Sequence, residues 1–221
     1  MTNLQVGVWT LSLGWFGNVL AALGIVWLIN LYNFMDGIDG LAGGEAVTVA
    51  VGGAILLGLG GAMDLALVAL LLAAASGGFL IWNWPPARIF MGDVGSGFLG
   101  YVFAIIALAS EKAGAVPAIV WVVLLAIFIF DATYTLMWRV LNGERWYAAH
   151  RSHAYQRLVQ GGWSHLRVTN TLLCINILIL FAIAWIIVMW PRHAVWGVAA
   201  VGMVSWFVWL RVQRTYFKTI K

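Results

Sequence analysis

Charge is what this 221-residue chain has least of: Asp, Glu, Lys and Arg make up 9% of it, against 63% hydrophobic residues. Charged side chains keep a soluble domain dispersed, so a chain this apolar falls outside that class. Cysteine is nearly missing. The single one, Cys174, has no partner, which excludes an internal disulfide framework and a cysteine zinc site; it reads as a small apolar packing residue. Residues 1–10 lack the basic stretch and cleavage site of a secretory signal. No two acidic residues are adjacent anywhere in the chain.

Long apolar runs and 14 tryptophans stand in their place. A spanning helix needs about 20 mostly apolar residues. The runs predict seven, near residues 11–31, 44–62, 65–84, 96–110, 114–137, 170–190 and 194–210. The expected fold is an all-α polytopic membrane protein, a single integral membrane domain over 1–221 with about seven transmembrane helices. Cationic residues then sort by loop. Arg139, Arg145, Arg151, Arg157 and Arg167 share one loop, Arg88 another, and Arg211, Arg214, Lys218 and Lys221 the tail, while the opposite side holds only Lys112 and Arg192. By the positive-inside rule, 32–43, 85–95, 138–169 and the tail face the cytoplasm, with the amino terminus on the far side. Helix one is then either an unusual segment inserted N-terminus out, or the continuation of a longer protein. The net charge of +4 reads as topology plus attraction to anionic membrane lipids, and nucleic-acid binding does not follow from it. Asp64, the Glu111–Lys112 pair and His193 read as solvated residues of far-side turns.

Three polar clusters interrupt the apolar background, and this topology brings all of them to one face. In the first, Asn33, Asp36 and Asp39 are spaced three apart, so a helical end would align them on one side, with Gly37 and Gly40 permitting close backbone approach. The acids suit Mg2+ binding, orientation of a nucleophile, or hydrogen bonds to ribose or base; the plain alternative is a polar turn in which Asp39 caps the next helix. In the second, Trp82 and Trp84 mark a membrane interface, Pro85 and Pro86 stop a helix, and Gly92, Gly95 and Gly97 surround Asp93 and Ser96. Asp93, pointing into one pocket with Asp36 and Asp39, would hold Mg2+ against a diphosphate; otherwise it caps a helix, and Arg88 is a topology charge. The third cluster is His150, Arg151, His153 and Arg157. The two histidines would share a helical face suited to phosphate hydrogen bonds or proton transfer, and the arginines could clamp a diphosphate. Zinc would need further ligands, with His165 the one imidazole nearby. Asp131 lies deeper, within a predicted span, where an acid is either functional or helix-orienting.

Taken together these motifs resemble the polyprenyl-phosphate N-acetylhexosamine-1-phosphate transferases, which include the enzymes that initiate lipid-linked O-antigen and common-antigen synthesis and the muramyl-pentapeptide translocase. Asn33 to Gly44 is similar to that family's NxxDGxDGLAGG loop, Asn83 to Gly100 to its NxxPARxFMGDxGSxxLG stretch, and His150 to Leu158 to its HxxHxYQRL loop. The resemblance implies transfer of a sugar 1-phosphate from a UDP-N-acetylhexosamine to undecaprenyl phosphate with release of UMP, using Mg2+ or Mn2+. It further implies Asp93 and Asp36 as metal ligands, Asp36, Asp39, Asp93, His150 and His153 as catalytic residues, and Asn33, Asn83, Arg88, Phe90, Arg151 and Arg157 as substrate contacts, with Asn83 and Phe90 near the uracil. Asp131 fits the acid in the helix before the histidine loop.

One departure stands against the match: the family's adjacent Asp-Asp pair from an earlier loop is absent. With the N-out start, this implies a truncated frame or a split protein, either a catalytically inactive remnant or a UDP-sugar-binding chain that depends on an upstream-fragment partner. A homodimer also fits the resemblance, although Gly52, Gly53, Gly58, Gly60 and Gly61 would serve internal helix packing equally. Two rival classes fit less well. A CDP-alcohol phosphotransferase needs a DGxxAR opening, and the stretch from Asp39 through Gly43 lacks that Arg; a transporter predicts paired charges through the membrane depth, and Asp131 is the one offered.

Overall fold

The computed structural model describes residues 2–145, 147–148 and 150–217; Lys218 and Lys221, counted above in the cationic tail, lie outside them. The apolar runs form helices α1 (Phe16–Met35), α2 (Leu41–Leu59), α3 (Met63–Asn83), α4 (Gly92–Lys112), α5 (Ala118–Leu124), α6 (Ala126–Leu141), α8 (His165–Ile175), α9 (Phe181–Met189) and α10 (Ala194–Phe217), with a short α7 (Ala154–Gln160) in the polar loop. A π-turn, Asn176–Leu180, joins α8 to α9 in one span of 25 residues. Among the described residues six helices are long and apolar enough to cross a membrane, and a seventh crossing exists if α5 and α6 count as one. The protein is an all-α polytopic membrane protein carrying one small hairpin.

That hairpin corrects the expected first helix. Residues 11 and 12 belong to strand β2 (Trp9–Ser12), which pairs antiparallel with β1 (Asn3–Val6), and α1 begins only at Phe16. Apolar and polar residues alternate along Asn3–Val6 and Trp9–Ser12, and Gly7 between them takes a φ of 63°. A period of two around a turn glycine is the hairpin signature, and it overrides the hydropathy of the segment. The hairpin seats on the far end of the bundle through Glu111, whose carboxylate accepts the Gln5 N–H and the Ala118 N–H, both at 2.6 Å. Glu111 is thus a structural bridge rather than a solvated turn residue.

A second correction concerns the run at 114–137. It is two helices, α5 and α6, inclined at 81° across Leu125. No Pro or Gly lies between Ala118 and Leu141, so the pattern gives no sign of the break. Trp121 anchors α5: its indole donates to Ser110 at 2.9 Å, and its ring lies where a side chain at Gly53 would stand, 2.4 Å from an added Cβ.

Helix α2 is the axle of the molecule. Within its apolar window 72% of residues are buried, against 11% for the C-terminal span, whose remaining surface faces outward. Gly52, Gly53 and Gly60 meet Phe181, Trp121 and Ala115 of the same chain, so these small residues serve internal packing. Exposed tryptophans mark both ends, Trp15, Trp190 and Trp196 at the far one and Trp82, Trp84 and Trp138 at the other, as aromatic belts do at two interfaces.

Candidate functional site

Loops at one end of the bundle bring all three polar clusters together. Helix α1 ends at Met35, and the backbone leaves the helix at Asp36 (φ −85°, ψ 49°), so Asp36 and Asp39 do not continue on one helical face. They part. Asn33, still helical, donates from Nδ2 to the buried Ser96 hydroxyl at 3.3 Å, which draws the end of α1 to the start of α4. Asp39 turns the other way. Its Oδ2 accepts the Ala87 N–H at 3.1 Å, its Oδ1 lies 3.4 Å from His165 Nδ1, and its carbonyl accepts the Thr169 hydroxyl at 2.9 Å. It caps no amide of α2, which begins behind Gly40 in the left-handed conformation (φ 75°). Asn83 is buried, and its amide is fully engaged: Oδ1 accepts the Gly40 N–H at 3.0 Å and Nδ2 donates to the Ile89 carbonyl at 2.8 Å. It pins the first loop to the second.

Asp36 and Asp93 form the electrostatic centre. Burial, and after it the neighbouring carboxylate of Asp93, push the Asp36 carboxyl from its ordinary 3.8 up to about 7. Asp93 is exposed in the first turn of α4, where the helix dipole favours an anion and would equally favour a phosphate. Two carboxylates that repel each other in this way are a donor set that a divalent cation fits. Among the described residues no third His, Cys, Asp or Glu joins them, so the expected Asp36–Asp39–Asp93 triad reduces to a pair. A pair suffices for Mg2+, which typically takes one or two carboxylates and completes its octahedron with water and phosphate oxygens.

The sign of the pH effect follows. A carboxyl whose folded pKa is raised above its unfolded value contributes stability that is complete below about 4 and is lost as pH rises through about 7. A cation needs the deprotonated form. Added Mg2+ is therefore expected to raise the melting temperature more at pH 8 than at pH 6, with affinity falling about tenfold per pH unit below 7; a thermal-shift titration at the two values checks this, and equal shifts would contradict it.

The histidine loop docks onto the first cluster. Residues 150–153 are irregular, not helical, and the rings of His150 and His153 nevertheless lie 4.9 Å apart. The reason is Asp131 on α6: its carboxylate accepts the N–H groups of Ala154 (2.8 Å) and Tyr155 (3.2 Å) and the Thr135 hydroxyl, so α7 can start only at Ala154. Tyr155 is buried and donates to the Phe34 carbonyl at 2.9 Å, and an added Cβ at Gly37 would stand 2.1 Å from its oxygen. His153 is buried with Nδ1 3.8 Å from Asp131 Oδ1, while His150 Nδ1 lies 2.9 Å from the Ser152 hydroxyl. Burial first, then His153 and Arg139, lower the His150 imidazole to about 4, so at neutral pH it is an uncharged hydrogen-bonding group. Arg151 is exposed, and Arg157 reaches Gln160 at 3.4 Å. On the second loop Phe90 is 78% exposed, and Arg88 stands 5.8 Å over the Trp82 ring.

Several residues that organise this end escaped the sequence reading. His165, named in the sequence only as a further imidazole, has its Nδ1 3.4 Å from Asp39 Oδ1. Gln213 on α10 donates to the Ser152 carbonyl at 2.7 Å. Glu45, wholly buried in α2, receives the Asn176 amide at the first residue of the π-turn. An acid inside an apolar run was a usable signal for Glu45; no local pattern announces the other two.

Comparisons with known proteins give the family. The model of "Glycosyl transferase family 4" matches residues 1–111. The chain is 32% identical over 201 residues to a "Probable undecaprenyl-phosphate N-acetylglucosaminyl 1-phosphate transferase" of Bacillus subtilis (strain 168), covering 90% of this chain and 51% of the relative. It is 35% identical over 170 residues to a "Phospho-N-acetylmuramoyl-pentapeptide-transferase" of Moorella thermoacetica, covering 75% and 51%. A protein of the same description from Shouchella clausii is 34% identical over 165 residues, covering 72% and 48%. The chain spans about half the length of the curated relatives it matches. It belongs to glycosyl transferase family 4.

Proposed function

We propose that this family member builds the nucleotide-sugar side of a transferase that moves an N-acetylhexosamine 1-phosphate from a UDP-sugar to undecaprenyl phosphate, releasing UMP at the cytoplasmic face of the bacterial inner membrane. The observation that carries the reading is the Asp36–Asp93 pair, in which burial first and the neighbouring Asp93 carboxylate second raise the Asp36 carboxyl to about 7, beside a paired-histidine loop. In the reaction an oxygen of the lipid phosphate bonds to the phosphorus bearing the sugar, the P–O bond to UMP breaks, and UMP leaves with the electron pair. Two anions must approach, so the site has to supply positive charge and hydrogen-bond donors. Mg2+, with Mn2+ as the alternative, would be held by Asp36 and Asp93 and would offset the diphosphate charge.

The residues of the chain do the rest. His150, uncharged at neutral pH, and His153 offer imidazole hydrogen-bonding groups to phosphate or sugar oxygens, Arg88, Arg151 and Arg157 supply cations around the diphosphate, and the open ring of Phe90 offers a face to the uracil. Asn83, its amide engaged by backbone, acts as a pin between the loops. The lipid partner is supported by a cavity of about 360 Å³ between α6, the span formed by α8, the π-turn and α9, and α10, lined by apolar side chains such as Ile127, Ile179 and Val204 and reaching Asp131 and Tyr155 at the histidine loop. A few isoprene units would fill it. The product would begin O-antigen or another cell-envelope polysaccharide.

A second reading is favoured by one feature of the sequence, its lack of adjacent acids: the chain binds the UDP-sugar, and an acidic pair from a partner segment completes the reaction. Detergent-purified protein given undecaprenyl phosphate and a panel of UDP-N-acetylhexosamines decides. Mg2+-dependent UMP release supports the first reading, and binding without release supports the second.

A further inference from the structure

Asp39 is tied more heavily than a substrate ligand needs to be. Its carboxylate takes the Ala87 N–H, its carbonyl takes the Thr169 hydroxyl, and the next residue gives its N–H to Asn83, which in turn holds the Ile89 carbonyl. The segment 84–90 carrying Arg88 and Phe90 thus hangs on Asp39 through Ala87 and on Asn83 at its ends, with the Arg88 N–H also bonded to the Trp82 carbonyl at 2.8 Å. His165, the first residue of α8, adds the remaining contact, with Nδ1 3.4 Å from Asp39 Oδ1. Thr169 lies one turn on along the same face of α8, so a single helix grips Asp39 by side chain and by backbone. Gly40 closes the arrangement from below: its φ of 75° admits no ordinary side chain, and an added Cβ would lie 3.0 Å from the Pro85 ring.

The two polar partners of the carboxylate differ in kind. The Ala87 N–H is fixed by backbone. A carboxylate 20% exposed could swing toward water to satisfy its charge, and an imidazole with its proton on Nδ1 donates to Asp39 Oδ1 and opposes that swing. Once Asp39 turns away, Ala87 loses its acceptor, and the arm bearing Phe90 and Arg88 keeps the Arg88–Trp82 backbone bond but loses its tether to the first loop.

We infer that His165 is a positioning residue: it orients the Asp39 carboxylate so that the 84–90 arm is held in its nucleotide-facing shape. That role rests on the proposed UDP-sugar site, but the contact it explains does not. The effect of His165 passes through Asp39 to the arm, so it bears on substrate affinity and leaves the Asp36–Asp93 pair untouched.

Hydrogen–deuterium exchange on the detergent-solubilised chain tests it, alongside UDP-GlcNAc affinity. His165→Ala is expected to speed exchange in peptides covering 84–90 by about tenfold, the effect of losing one hydrogen bond's worth of protection, with α2 and α4 unchanged. UDP-GlcNAc affinity falls by a similar factor, and in any preparation that turns over, KM rises while kcat holds. His165→Asn, whose amide nitrogen can stand near the Nδ1 position, restores protection, and His165→Gln, which reaches further, does not. Unchanged exchange in His165→Ala, or faster exchange spread through α2 and α4, would overturn the inference. Local loss of protection in a protein that binds no UDP-sugar at all would uphold the contact and sink the nucleotide reading instead.

Discussion

Asp93→Asn is expected to cut Mg2+-dependent UMP release by about 10²–10³-fold, the scale seen when one preorganised electrostatic group is lost from a transfer site. The fold should survive. Asp93 is exposed, and its carboxylate takes part in none of the described hydrogen bonds, so nothing buried is left unpaired. A companion change sharpens the test. Asp93 is the second cause, after burial, of the raised Asp36 pKa, so its neutralisation should move the Asp36 titration below about 7 without restoring the ordinary 3.8. Titration of wild type and variant, read by a carbon-13 label in Asp36, gives that shift. An unshifted Asp36 would mean that the two acids do not share a site.

Asp131→Ala is the second large effect, and it falls on stability as well as binding. Asp131 is buried and holds the N–H groups of Ala154 and Tyr155, which its removal leaves without acceptors in a dry environment. Each orphaned donor costs about 1–3 kcal/mol, so the variant should lose roughly 2–6 kcal/mol. The consequence reaches the site because α7 carries Tyr155, whose hydroxyl bonds the Phe34 carbonyl. The histidine loop should come free of the first cluster, with faster proteolysis between 144 and 153 and loss of UDP-sugar binding. Asp131→Asn keeps one acceptor oxygen and should fall between the two. A thermal melt of the three proteins in one detergent orders them; an Ala variant as stable as wild type would remove Asp131 from this role.

Hydropathy read most of the bundle, because a helix that crosses a membrane must be apolar along its length whether it faces lipid or its neighbours. The expected 44–62 and 65–84 lie close to α2 (Leu41–Leu59) and α3 (Met63–Asn83). It failed where tertiary packing decides. The α5–α6 break carries no Pro or Gly, and the hairpin at Asn3–Ser12 was hidden by an apolar run that starts inside it. The site divides in the same way. Polar islands in an uncharged chain are conspicuous, so Asp36, Asp39, Asp93, His150 and His153 stood out. Their partners were not visible: the spacing of Asn33, Asp36 and Asp39 suggested one face, yet the backbone leaves the helix at Asp36 and sends Asp39 to Ala87 and His165. Asp131 was left open between function and helix orientation, and its carboxylate proves to hold the start of α7. Such pairings join residues far apart in sequence, and a local pattern cannot carry them.

The most direct test is calorimetric titration of the detergent-purified chain with UDP-GlcNAc and UDP-GalNAc, with and without Mg2+, against GDP-mannose as a control. The account predicts saturable binding of a UDP-sugar that needs Mg2+, strengthens as pH rises through 7, and disappears in Asp93→Asn. Binding indifferent to Mg2+, or no preference for UDP-sugars over GDP-mannose, would contradict it.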